Sequence, residues 1–249
     1  MITAGIDLSS QTKRTGACVI EWSNGRAKIT NLRLGVTDDE IVDLATTADK
    51  VGIDAPLGWP VAFVEAVSRH SREGSWPPDY RHADTSRFRL RRTDIWIWKG
   101  LGLPQPLSVS ADRIALPAMR AAALISTLPE KVSLDGSGVV VEVYPAAALK
   151  RWGLPSRGYK GKNNLEGRKT LVSAFLADTD TWLDLDGSDK DLCFASDDAF
   201  DALVAAFVAR AAAMALVEPI PQEDRAVALR EGWIAIPLAG PLSRLAGSQ

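Results

Sequence analysis

Cysteine is nearly absent. Cys18 and Cys193 are the only two in 249 residues, far apart and in no CxxC pair. That argues against a disulfide framework or a thiolate zinc site, suits a reducing cytoplasm, and leaves both residues as expected buried thiols. Histidine is as scarce: His70 and His82 show neither triad partners nor ligand spacing and read as surface residues, with His82 also placed to serve a basic lid. No apolar run reaches the roughly 18 to 20 residues of a membrane span. Residues Met1 to Asp7 lack the basic stretch of a signal peptide and meet an aspartate at once. There is no internal repeat and no low-complexity tail.

What is present is ordinary globular material, 46% apolar and 24% charged. The length suits one elaborated domain, or one with an insertion, burying roughly three quarters of its unfolded surface. Lys and Arg number 29 against 31 Asp and Glu, a formal net charge of −2. The distribution is more informative than the sum. Between Arg69 and Lys99 stand eight Lys/Arg against four acids, and between Asp178 and Asp201 nine aspartates against Lys190 alone. A basic stretch on a mildly acidic protein can meet a polyanion locally; it can equally be a solvated surface with local ion pairs.

The first third of the chain reads clearly. Ile2 to Leu8, Arg14 to Trp22 and Ala27 to Leu34 are expected strands, the last two joined by the hairpin pair Asn24-Gly25. Thr37-Asp38-Asp39-Glu40 is a capping box that opens a helix. Val51 to Asp54 is a fourth strand, stopped at Ala55-Pro56. A right-handed crossover lays it parallel to the first strand, which sets Asp7 beside Asp54 about 5 Å apart at the C-terminal edge of a sheet, the place where open α/β sheets bind ligands. Residues 57–110 hold Trp59, Trp76, Trp96 and Trp98 and several prolines, and read as an inserted cap or lid with a short helix at 61–72. Further helices are expected over 111–128 with a kink or restart at Pro117, and over 146–152, 165–177 and 196–217; Val139 to Tyr144 is a strand, and residues 231–237 are a candidate closing strand.

Four places put a carboxylate where an apolar residue would cost less. Asp7 and Asp54 end strands, Glu142 stands among valines, and Asp198 and Asp201 share a face at the start of a late helix. Buried carboxylates are paired, neutralised or bound to metal. Few basic residues are near in sequence, and hard oxygen ligands suit Mg²⁺ or Mn²⁺. Each position also has a structural reading: turn capping for Asp7 and Asp54, helix-dipole complementation for Asp197, Asp198 and Asp201. The run Asp184-x-Asp186-Gly187-x-Asp189 lacks the pattern of a calcium loop and reads as a solvated loop.

The order strand-end Asp, strand-end Asp, mid-strand Glu and Asp-x-x-Asp on a late helix resembles the RNase H-like superfamily, in particular its RuvC-like branch. The whole chain is similar to the predicted RNase H-like nuclease family catalogued as domain of unknown function 429. The matching pieces are Gly5-Ile6-Asp7, Gly52-Ile53-Asp54-Ala55-Pro56-Leu57-Gly58, Arg91-Arg92-Thr93-Asp94, Glu142-Val143-Tyr144-Pro145-Ala146, Tyr159-Lys160, Asp197-Asp198-Ala199-Phe200-Asp201-Ala202-Leu203 and Glu231-Gly232-Trp233-Ile234. The resemblance implies a single RNase H-like α/β domain over residues 1–249. Its mixed five-stranded sheet has three antiparallel strands followed by parallel ones, flanking helices and the inserted cap. It implies metal ligands among Asp7, Asp54, Glu142, Asp198 and Asp201, more carboxylates than two ions need.

Lys13, Arg91, Arg92 and Lys160 are the candidate substrate contacts, although Arg91 and Arg92 serve equally as ion-pair partners of Asp94. The cap tryptophans fit packing better than base stacking. The expected activity is metal-dependent phosphodiester hydrolysis on DNA or RNA by a two-metal route. Two other readings stand beside it. One is a non-catalytic nucleic-acid or protein binding module on the same fold. The other is an actin-like ATP-dependent phosphotransferase using residues 7–16 as a phosphate loop, against which the paired glycine-rich loops are missing.

Overall fold

The computed structural model describes residues 1–77 and 85–247; His82 lies outside the described residues. Seven strands form one sheet: β1 (Ile2–Asp7), β2 (Gly16–Ser23), β3 (Arg26–Leu34), β4 (Lys50–Asp54), β5 (Val140–Val143), β6 (Leu183–Asp184) and β7 (Ile234–Ala235), in the order β6-β3-β2-β1-β4-β5-β7. The hairpin β2–β3 turns on Asn24 (φ 49°) and Gly25 (φ 73°), both in the left-handed region that a two-residue turn demands. β1 pairs antiparallel with β2 and parallel with β4, and β5 and β7 continue the parallel side.

The strand count corrects the expected five. The additional strands β6 and β7 are two-residue edge strands, too short to show a period; residues 231–237 had signalled a closing strand, β6 had not. β6 also corrects the solvated loop expected at 184–189. Asp184 ends that strand, and Asp186 caps the following helix by accepting the Asp189 N–H at 2.8 Å.

Ten helices are described: α1 (Asp38–Thr47), α2 (Val61–Glu73), α3 (Ser86–Arg89), α4 (Arg92–Ile95), α5 (Ala115–Thr127), α6 (Pro145–Arg151), α7 (Leu165–Thr179), α8 (Gly187–Ala195), α9 (Asp197–Ala213) and α10 (Arg225–Glu231). The capping box at Thr37 forms with both of its bonds. Pro117 neither kinks nor restarts α5. It lies in the first turn, where its missing N–H has no intrahelical partner to lose. None of the described helices is long and apolar enough to cross a membrane.

Two cores cover the two faces of the sheet. Cys18, Ile20 and Trp22 of β2 pack with Val141 and Val143 of β5 against α6, α7, α8 and α9. Ala4 and Ile6 of β1, Val51 and Ile53 of β4 and Val140 of β5 pack against α1 and α5. The period of two is therefore read directly from the cores, and both cysteines are buried thiols.

Helix α9 is buried along nearly all of its length. It lies against the sheet at three glycines on adjacent strands. A Cβ built on Gly5 would stand 2.1 Å from the Ala202 carbonyl oxygen, one on Gly52 2.5 Å from that of Ala205, and one on Gly16 2.6 Å from that of Asp198. Only glycine admits a helix backbone this close to a strand. The approach carries the first turns of α9 down to the C-terminal ends of β1 and β4.

Candidate active site at the sheet edge

Register places the first two acids. Asp7 and Asp54 are direct partners in the parallel pair β1–β4, two residues beyond Gly5 and Gly52 and so on the α9 face. Asp201, 1% exposed, comes down on that face from α9, with Asp198 one turn before it. Lys160 enters from the loop before α7. Its Nζ stands 2.6 Å from Asp201 Oδ2 and 4.0 Å from Asp54 Oδ2. The Tyr159 hydroxyl donates to Asp201 Oδ1 at 2.8 Å. Arg14 reaches Asp198 across the mouth at 3.4 Å and is largely exposed.

Glu142 does not join them. Val141 and Val143 point to the α9 core and Val140 to the opposite one, so Glu142 faces away from α9, beneath the cap. There Arg91, 1% exposed, grips two carboxylates at once. Its guanidinium donates to both oxygens of Glu142 at 2.7 Å and to both oxygens of Asp94 at 3.0 and 3.2 Å. The Leu57 N–H adds a further bond to Glu142 at 3.0 Å. This is a closed ion triad, in which the bidentate geometry suits arginine rather than lysine.

The candidate substrate contacts divide in the same way. Lys160 lies inside the acid cluster, whereas Arg91 is consumed by the triad. Arg92 bonds Asp224 at 2.8 Å, and its backbone N–H donates to Glu231 Oε2 at 2.7 Å. The other oxygen of Glu231 accepts the Val61 N–H at 2.7 Å, so one carboxylate caps both α2 and α4 and ties the cap to the body. Lys13 is exposed in a one-turn helix at Thr12–Arg14 and does not line the cavity described below. The cap tryptophans stay out of it as well: Trp96 packs on Trp233, and Trp98 lies exposed beside Lys99.

Burial raises carboxyls in both groups, and what differs is the compensation. Glu142 is raised too, against the direct pull of the Arg91 guanidinium and the Leu57 N–H. Burial, then Asp54 and Asp201, push the Asp7 carboxyl well above the usual range, with Lys160 opposing. Asp54 is raised to about 7 by burial, with Asp201 and Glu142 adding and Lys160 opposing. Asp201 is raised by burial against the pull of Lys160 and the Tyr159 hydroxyl. Burial lowers Lys160, but Asp201, Tyr159, Asp54 and Asp7 outweigh it and hold the ammonium well above its ordinary value. Asp7 accepts no hydrogen bond from any described side chain.

The family of the chain is now decidable. The sequence pattern of the family described as "Protein of unknown function (DUF429)" matches residues 5–226. The chain belongs to that family. The DUF429 match spans Asp7, Asp54, Glu142, Asp198 and Asp201 and stops before β7. No curated protein and no solved structure matches the chain.

The acids of this DUF429 chain line a cavity of about 560 Å³. Asp7, Asp54, Asp198 and Lys160 line it, and so do Arg91 and Glu142 of the triad. Arg157 and Tyr144, neither expected as a site residue from sequence, line it too. Arg157 offered only its charge as a signal, and Tyr144 its position at the end of a buried strand and in the matching piece Glu142 to Ala146.

Among the described residues no group of three carboxylate, imidazole or thiol side chains converges tightly enough to enclose a metal ion. Donor chemistry nevertheless fits a hard cation. Asp7 and Asp54 are adjacent oxygen donors only partly compensated by Lys160, and Mg²⁺ characteristically takes one or two carboxylates, completing its shell with water and substrate phosphate.

Proposed function

We propose that this protein is a divalent-metal-dependent phosphodiester hydrolase acting on nucleic acid, built on an RNase H-like sheet extended by a short strand at each edge. The observation that carries the reading is the Asp7–Asp54 pair. These are register partners at the C-terminal sheet edge that line a cavity, with raised carboxyls and the Lys160 ammonium 4.0 Å from Asp54. The strand order β3-β2-β1-β4-β5 supports the fold assignment. Asp7 and Asp54 would hold one Mg²⁺ or Mn²⁺, with Asp198 in reach at the rim. Such an ion, when bound, polarises a phosphoryl oxygen and makes water a nucleophile near neutral pH.

The chain's own groups do the rest. Lys160 occupies the region between Asp201 and Asp54 where a second ion would otherwise be called for. Its ammonium neutralises Asp201 and offers positive charge to a phosphate, so one divalent ion replaces the expected two. Tyr159 fixes Asp201 through its hydroxyl, and Asp201 in turn fixes Lys160. Arg14 and Arg157 at the cavity wall are placed to meet the neighbouring backbone. Glu142 acts as structure, holding Arg91 and the cap segment at Leu57.

The test is thermal unfolding with and without Mg²⁺ and Mn²⁺, followed by a cleavage screen on single- and double-stranded DNA and RNA. A ligand that binds only the folded state raises the midpoint. The expected result is a metal-dependent rise in the wild type, lost in Asp7→Asn, together with cleavage lost in the same variant. Cleavage that survives Asp7→Asn overturns the assignment. One observation favours a second reading: an ammonium already seated at 2.6 Å on Asp201 also suits a metal-free module that binds nucleic acid without cutting it. That module binds oligonucleotide and shows no metal-dependent rise.

A further inference from the structure

The cavity has a mixed lining. Its volume, about 560 Å³, lies within the range of small-molecule sites. Asp7, Asp54 and Lys160 contribute charge to it. Pro106, Leu107, Ile114 and Pro117, from the end of the cap and the start of α5, contribute apolar surface, and Tyr144 at the end of β5 adds a ring. Leu107 is 48% exposed, a large apolar side chain left half in water among the described residues. A site for a duplex backbone needs charge along an open groove, because phosphates are what a duplex presents there. A half-open pocket whose lining combines acids and a lysine with a tyrosine ring and aliphatic groups matches a nucleotide whose base has left its stack. Aromatic and apolar side chains take up the π-face of any base without reading its identity.

We propose that this pocket receives one unpaired nucleotide at a time, its base against Leu107, Ile114 and Tyr144 and its phosphate over Asp7, Asp54 and Lys160. The substrate class is therefore single-stranded nucleic acid, a strand end or an extruded nucleotide, with little base preference. This deepens the phosphodiesterase reading and rests on it for the placement of the phosphate.

Titration calorimetry in Mg²⁺ compares adenosine 5′-monophosphate with ribose 5-phosphate, which carries the same sugar and phosphate without the base. The nucleotide should bind about tenfold tighter or better, the margin a stacked base supplies. Leu107→Ser, which removes the apolar contact without adding charge, should bring the two affinities together. Cytidine 5′-monophosphate should bind within a few-fold of the adenosine compound. Equal affinities in the wild type, binding of neither ligand, or a margin that survives Leu107→Ser overturns the proposal. The two readings fail separately. Cleavage of intact duplex with no margin for the base removes the nucleotide pocket and keeps the phosphodiesterase. A clear margin with no cleavage of any strand does the reverse.

Discussion

Two groups of acids stand a few residues apart in the same fold and have opposite fates. Around Arg91, two carboxylates share one guanidinium through four hydrogen bonds, with a backbone N–H besides. Across the sheet, Asp7, Asp54 and Asp201 share Lys160, which makes one short contact, one long one and none at hydrogen-bond length to Asp7. The first arrangement pairs each carboxylate with the same guanidinium, although Arg91 and Glu142 also line the cavity. The second is under-compensated, and that is what a ligand can exploit. Buried charge alone does not mark a functional site; buried charge without enough partners does.

The comparison breaks most visibly at Arg91. Arg91→Met strands Glu142 and Asp94 in the interior, and breaking a buried pair of this kind costs roughly 3 to 5 kcal/mol. Urea denaturation should show the loss, with the cap loosened because Leu57 is held through Glu142. The matching change in the open cluster, Lys160→Met, should cost clearly less in the same experiment, since half of that side chain is already in water. Equal costs would erase the distinction between the two groups.

Metal provides the next effect in size. At about 100 times its dissociation constant, an ion binding only the folded state adds roughly 2.7 kcal/mol. Asp7→Asn should remove that gain and Glu142→Gln should leave the metal response in place, whatever it does to the baseline.

The pH dependence is smaller and has a definite sign. A carboxyl raised in the folded state binds its proton more tightly there than in the unfolded chain, so the open cluster's contribution to stability falls as pH rises. For Asp54 the window runs from the ordinary aspartate range up to about 7. Metal-free protein followed by thermal unfolding from pH 4 to 8 should lose stability across that window, and Asp54→Asn should flatten the slope. Divalent ions compete with those protons, so their stabilising effect should grow over the same range.

The smallest effect belongs to Arg14. Its pairing with Asp198 is exposed and worth under about 1 kcal/mol, so Arg14→Ala should leave unfolding unchanged and weaken oligonucleotide binding, with a reduced dependence on salt.

Much of this was legible in the sequence because it depends on local signals. The Asn24-Gly25 turn, the Thr37 capping box and the crossover of β4 onto β1 all follow from short-range rules, and together they bring Asp7 and Asp54 into register. The side of the sheet taken by Glu142 was not legible, because the run Val139 to Tyr144 has valines on both faces and no alternation. What stood out instead was the glutamate among valines, a signal of burial that does not separate ligand from ion pair. The partnership of Arg91 with Glu142 spans 51 positions and that of Lys160 with Asp201 spans 41, and no local pattern announces either. β6 was invisible because two residues have no period. The apolar lining was missed because Pro106, Leu107 and Pro117 look like loop and helix-start residues until the cap folds over them.

The close seating of α9 on the three glycines also has a temporal side. The acid cluster joins residues near the two ends of the chain, and the Arg14–Asp198 contact alone closes a separation of 184 positions. Pairings of that range form late, after shorter loops have closed. A ribosome will have made β1 to β5 well before α9 exists to complete the cluster. Asp7 and Asp54 then stand at an unfinished edge, with neither Lys160 nor Asp201 against them. A nascent chain, even with most of its sheet in place, is therefore without the assembled site until α9 has been made.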